Sequence, residues 1–309
     1  MVFPYGMAQP PHPAPAAEDD LAGLFARPFR LARPQSQRVP FVFASPHSGR
    51  RYPGALAAAS RLNATMLRRS EDAFVEELFG AVVEMGAPLL AAEFPRVFLD
   101  VNRAMGELDA SMFSGALGVA VDGPSPRVAA GLGVIPRIVR DGAEIYRGKL
   151  KPEEATARLE RLYRPYHQAL AGLVDETLDR FGVAVVVDCH SMPSSLSAPD
   201  IVLGDRYGAS AAPALSRLAE NAFGREGLSV ARNAPYAGGH TTMLYGRTGR
   251  GCHALQIEVN RGLYLQEERI VKTENFETLK LKLTAALTRI MRIDPALLRP
   301  ASSLPHAAE

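Results

Sequence analysis

The chain has 309 residues, 47% of them apolar and 22% charged, with a formal net charge of +2 at pH 7. That is the balance of a soluble globular protein; basic and acidic side chains nearly cancel and the arginines are scattered, which argues against a dedicated nucleic-acid binder. Two cysteines, Cys189 and Cys252, form no disulfide framework and no CxxC pair, no apolar run reaches the roughly 18 residues of a membrane span, and the N-terminus lacks a signal peptide pattern, so the expectation is a cytoplasmic protein with neither membrane nor nucleic acid as partner.

Residues 1–20, including Gln9-Pro10-Pro11-His12-Pro13-Ala14-Pro15, read as a disordered Pro/Ala-rich tail. Apolar runs of strand length follow at about 40–45, 88–93, 97–101, 183–188, 200–203 and 254–259. Between them lie helical patterns. The first, 66–86, puts Phe74, Val75, Leu78, Phe79, Val82 and Val83 on one face and ends at Gly86. The second, 152–181, opens with Pro152-Glu153-Glu154, a good helix start; residues 211–223 and 268–292 are further helices. Residues 104–150 are glycine-rich and aperiodic, as expected of a long excursion over a functional rim. Strands alternating with long helices predict an α/β fold, a mostly parallel sheet covered on both sides. The domain plan is a single catalytic domain over 21–295 and a loose tail over 296–309.

Chemistry concentrates where these strands end, the edge at which open α/β sheets bind ligands. His47 closes Phe41-Val42-Phe43-Ala44-Ser45-Pro46-His47, and alternation predicts Phe43, Ser45 and His47 on one side. His190 closes Val185-Val186-Val187-Asp188-Cys189-His190, where Asp188 and His190 share a face and Cys189 points away as a small buried hydrophobe. Asp188 is placed to orient a ligating imidazole through its second nitrogen. Two imidazoles and one carboxylate make a catalytic zinc site with a fourth position open, although other divalent ions take the same donors. Spacing alone leaves the carboxylate open between Glu71 and Asp72.

Glu258, in Ala254-Leu255-Gln256-Ile257-Glu258, shares a strand face with Gln256 and is costly to bury without a task; it is the candidate general base and acid. Asn102-Arg103 ends the strand-like run Phe98-Leu99-Asp100-Val101 and is a candidate clamp for a substrate carboxylate. His240, after Gly238-Gly239, is a candidate donor to a developing oxyanion. His167 reads as structural, and Ser45 and Ser191 lack the GxSxG elbow of a serine nucleophile.

In order and spacing, Ser45-Pro46-His47-Ser48-Gly49, Glu71-Asp72-Ala73-Phe74, Asp100-Val101-Asn102-Arg103, Asp188-Cys189-His190-Ser191, Gly238-Gly239-His240-Thr241-Thr242 and Gln256-Ile257-Glu258 resemble the N-formylglutamate amidohydrolase family over about residues 40 to 270. The resemblance implies a three-layer α/β/α fold with a mixed central sheet, related to the zinc carboxypeptidases and cell-wall amidases. It implies zinc ligands at His47, Asp72 and His190, a catalytic Glu258, substrate contacts at Asn102 and Arg103, and a small N-acyl amino acid as substrate. Two departures are Asp-Cys-His where the deformylases of histidine breakdown have Asp-Ala-His, and Val259-Asn260-Arg261-Gly262-Leu263-Tyr264 after Glu258; they bear on the acyl group and the amino acid. Alternative readings are a peptide or peptidoglycan hydrolase on the same fold, or a ligand-binding relative without catalysis.

Overall fold

The computed structural model describes residues 19–300 except 124, 140, 141, 197 and 198. Of the expected tails 1–20 and 296–309, residues 1–18, with His12, and 301–309 lie outside the described residues. Seven strands form one sheet: β1 (Phe29–Ala32), β2 (Phe41–Ser45), β3 (Leu89–Ala92), β4 (Ala184–Met192), β5 (Ile201–Gly204), β6 (Val230–Arg232) and β7 (Cys252–Asn260). Their order is β1-β3-β2-β4-β7-β5-β6. The central four, β3-β2-β4-β7, run parallel, β1 is antiparallel to β3, and β5 is antiparallel to β7 with β6 parallel to β5. The sheet is therefore mixed.

The two faces carry separate cores. On one, Phe43, Val185, Val187, Cys189, Leu255 and Ile257 pack under the helices Pro213–Arg225 and Phe276–Ile290. On the other, Val42, Ala44, Ala184, Val186 and Ala254 pack under the helix Arg164–Phe181 and the 104–150 excursion, through Tyr166, Leu170, Val134 and Ile145. Because both faces of β4 are covered, its first half reads as an unbroken apolar run, Ala184-Val185-Val186-Val187, as expected of a parallel strand buried on both sides. Further along that second face, β4 carries Asp188 and His190, and β7 carries Gln256 and Glu258. The parallel register places His190 beside Glu258 and Asp188 beside Gln256. Apolar packing at the start of the strands thus gives way to a polar cluster at their carboxyl end.

Several expectations change. Residues 97–101 form turns rather than a strand: Phe98 N donates to Pro95 O and Arg103 N to Asp100 O. Their apolar character serves burial in the second core, not a ladder. The expected helix 66–86 is broken into Ala64–Arg68, Val75–Leu78 and a 3-10 turn Gly80–Val82, since Phe74 adopts φ 63, which no helix accommodates. The helical path 152–181 holds, but with a π turn at Leu159–Tyr163 just before Pro165, where a proline cannot donate to the preceding turn. The 268–292 helix begins only at Phe276, and 271–272 pair with 265–266 in a small hairpin. At the carboxyl end, Pro295–Leu298 form a 3-10 turn with Leu298 buried and its carbonyl 2.7 Å from His253 Nε2. The packed chain therefore extends past 295. At the other end the helix Asp19–Ala26 already starts within the stretch assigned to a tail.

Candidate active site

His47 lies two residues beyond β2, in the turn that Pro46 opens. The strand alternation stops at Ser45, and the turn carries the imidazole over to the face of His190, with ring centroids 4.7 Å apart. Asp72 reaches the same place because its backbone N donates to His47 O at 3.0 Å. Asp72 Oδ2 is 2.8 Å from His190 Nδ1 and 3.3 Å from His47 Nδ1. Ligand atoms of His47, Asp72 and His190 all fall within 4.8 Å of one another, and all three side chains are buried. Glu71 points elsewhere: its carboxylate accepts from Arg68 Nε and Nη2 and from the Tyr52 hydroxyl. The choice that spacing left open falls on Asp72.

The donor set fits a divalent ion. His47 Nδ1 is a buried ring nitrogen turned to Asp72 Oδ2 at 3.3 Å, whereas its Nε2 meets Asp100 Oδ1 at 2.7 Å. His190 turns Nδ1 to the cluster and Nε2 to Asp188 Oδ2 at 3.0 Å. Each imidazole is thus backed by a carboxylate, the arrangement that fixes the tautomer of a ligating histidine. Asp100 is in turn held by Arg96 at 2.7 Å and by the Asn102 backbone N at 2.8 Å.

Charge follows from this geometry. Burial alone would raise the pKa of Asp72, but hydrogen bonds and charge from His190 and His47 outweigh it and hold the carboxyl well below its ordinary range. Burial would lower His190, but Asp188, Asp72 and Glu258 raise it well above 6.5. Without an ion the cluster is a buried imidazolium–carboxylate pair, so ion and proton compete for the same nitrogen. Glu258 is pushed up to about 7 by burial, opposed by His190 and Arg96 and assisted by Asp72 and Asp188. One of its oxygens accepts from Gln256 Nε2 at 2.7 Å.

The expected carboxylate clamp is divided. Asn102 is buried, and its amide is occupied: Nδ2 donates to Asp188 Oδ2 at 3.1 Å and Oδ1 accepts from Thr241 N at 2.8 Å. It braces Asp188 and the start of the short helix His240–Tyr245, and does not face outward as a strand-end clamp would. Arg103 gives Nε to Leu132 O and Nη1 to Asn102 O. Its guanidinium sits in the field of Asp100, Arg96 and Arg127. His240 is not among the three clustered ligands. Its Nε2 is 3.2 Å from the Tyr163 hydroxyl, which already donates to Arg103 O at 2.9 Å. The imidazole therefore carries its proton on Nε2 and offers Nδ1 as an acceptor, and burial keeps it neutral by lowering its pKa. This geometry removes the expected oxyanion donor. Sequence reasoning also passed over Arg96 and Arg261. Asp100 was given no role of its own, yet it stands two residues before Asn102 in the same Asp-Val-Asn-Arg motif and pairs with His47.

The model of the N-formylglutamate amidohydrolase family matches residues 39–265, which span every residue of this cluster. The chain belongs to that family. Among curated relatives it is 30% identical over 239 residues to the N-formylglutamate deformylase of Pseudomonas putida, covering 74% of this chain and 83% of that protein. It is 31% identical over 240 residues to the deformylase of Pseudomonas aeruginosa, covering 75% and 84%. The crystal structure of an N-formylglutamate amidohydrolase from Ralstonia eutropha JMP134 superposes with a TM-score of 0.81 at 36% identity, covering 85% of this chain and 97% of that one. The N-formylglutamate amidohydrolase fold thus accounts for the three layers and the mixed sheet.

Proposed function

We propose that the protein is a zinc-dependent amidohydrolase that cleaves the N-acyl bond of an acidic amino acid, N-formylglutamate foremost, to the free amino acid and formate. The observation that carries this reading is the convergence of His47, Asp72 and His190 beside Glu258. A zinc ion held by these three side chains would supply a Lewis acid that acidifies water and polarises the amide carbonyl. Asp100 and Asp188 keep the two imidazoles presenting Nδ1. Glu258 takes the proton from the attacking water and delivers it to the leaving nitrogen. A carboxyl near neutrality serves both directions, because neither transfer is steeply uphill.

An acidic substrate brings two carboxylates. Arg96 anchors one nitrogen on Asp100 and keeps its side chain 25% exposed, and among the described residues Arg103 is hydrogen-bonded through Nε and Nη1. Together with exposed Arg127 they form the cationic flank for that dianion. The two buried free thiols are consistent with a reducing compartment such as the cytoplasm. Release of formate from N-formylglutamate, N-formylaspartate and N-formylleucine and of acetate from N-acetylglutamate, set against hydrolysis of a dipeptide, tests the reading. The expected order puts the two N-formyl dicarboxylates first. Faster cleavage of the dipeptide or of N-formylleucine contradicts it.

A further inference from the structure

Arg261 is the guanidinium in direct contact with Asp72, at 2.8 Å. It is buried at 5% exposure, and all three guanidinium nitrogens are committed. Nε donates to Ser191 Oγ at 3.0 Å, Nη1 to Arg69 O at 3.3 Å, and Nη2 to Asp72 Oδ1 at 2.8 Å. The chain delivers it there by a local device. β7 ends at Asn260, whose Oδ1 accepts from Gly262 N at 3.0 Å and closes the 3-10 turn Arg261–Leu263. That turn sends the side chain across the end of β4, past Ser191, to the loop holding Asp72.

The two oxygens of Asp72 therefore have different fates. Oδ2 faces both histidines; Oδ1 is taken by a permanent cation. A carboxylate with two free oxygens can chelate an ion through both and fill the position that water and substrate need. We infer that Arg261 is a positioning residue that restricts Asp72 to one ligating oxygen and so keeps the ion four-coordinate with one open position. This rests on the metal reading proposed above. A lysine would preserve the charge, but its single nitrogen cannot span Ser191, Arg69 and Asp72 at once; the planar fork can.

Cobalt(II) reports coordination number directly, since four-coordinate Co2+ absorbs visible light intensely and five- or six-coordinate Co2+ weakly. Stripped wild type, R261K and R261M are each titrated with Co2+ and followed by absorbance and by competition with a chelator. The wild type is expected to take one ion with an intense band. R261M is expected to lose that band and to bind about 10–100-fold more weakly, the usual cost of removing an outer partner of a ligand, and R261K to fall between. A wild-type band that persists in both variants with unchanged affinity overturns the inference and leaves the metal site standing. If R261M does not fold, R261K decides alone, an unchanged band and affinity being the contrary result. A weak wild-type band overturns the inference at the outset, and a wild type that takes up no Co2+ refutes the metal reading itself.

Discussion

Replacing Glu258 by glutamine separates chemistry from architecture. Gln256 Nε2 donates to Glu258 Oε1 at 2.7 Å, and a glutamine at 258 can accept the same bond, so the local geometry survives. The substitution also removes a buried carboxyl whose charge is costly at this position, as its pKa of about 7 records. Thermal stability should therefore be unchanged or higher, and ion binding should persist because Glu258 is not among the three clustered ligands. What is lost is the proton carrier, worth about 10²–10⁴ in kcat, or about 3–5 kcal/mol of barrier. The base acts when ionised. Activity of the wild type should rise with pH along a limb centred at or below 7, because a bound cation pulls the carboxyl pKa down from its ion-free value; E258Q should lack that limb. The assay is formate release across pH 5 to 8, with metal content measured on the same samples. A kcat within a few-fold of wild type, or loss of the ion, refutes the reasoning.

Two other expectations follow from the same geometry. A β-carbon at Gly239 would stand 2.6 Å from the Asn102 amide, so Gly239→Ala should displace a buried brace and cost about 1–3 kcal/mol in denaturant unfolding, with weaker ion binding because Asn102 supports Asp188; unchanged stability and affinity count against the brace. His167 donates Nε2–H to Val101 O and is lowered to about 4, chiefly by burial. The unfolded chain then takes up a proton near 6.5 that the folded chain refuses until about 4, so stability is full above 6.5 and lost as pH falls toward 4. Urea unfolding at pH 7 and pH 4 should show the wild type losing about 2 kcal/mol more than His167→Gln over that span, and equal losses contradict the assignment.

The strand-end histidine and glutamate were legible because polar residues appear at every second position where the apolar runs of β4 and β7 end. Once Val186 and Ala254 face one core, Asp188, His190, Gln256 and Glu258 must follow on the same side. His47 was found for a less sound reason, since the alternation used for it ends at Pro46 and a turn brings it round. Asp72 could not be separated from Glu71 by spacing. The choice depends on Asp72 N pairing with His47 O, and on Arg68 and Tyr52 capturing Glu71. Asn102 was misread because an apolar run buried beneath a long loop looks like a strand. The glycines before His240 drew no packing expectation, yet Gly239 is small because Asn102 packs on it. Arg261 was invisible because nothing in a sequence tells which of many arginines will cross two strand ends to a carboxylate.

The most direct test of the account is the rate of formate release from N-formylglutamate by chelator-stripped protein as zinc is added back. Negligible turnover in the stripped protein and a rise that saturates at one zinc per chain are expected. Full turnover in the stripped protein, or a rate indifferent to added zinc, contradicts it.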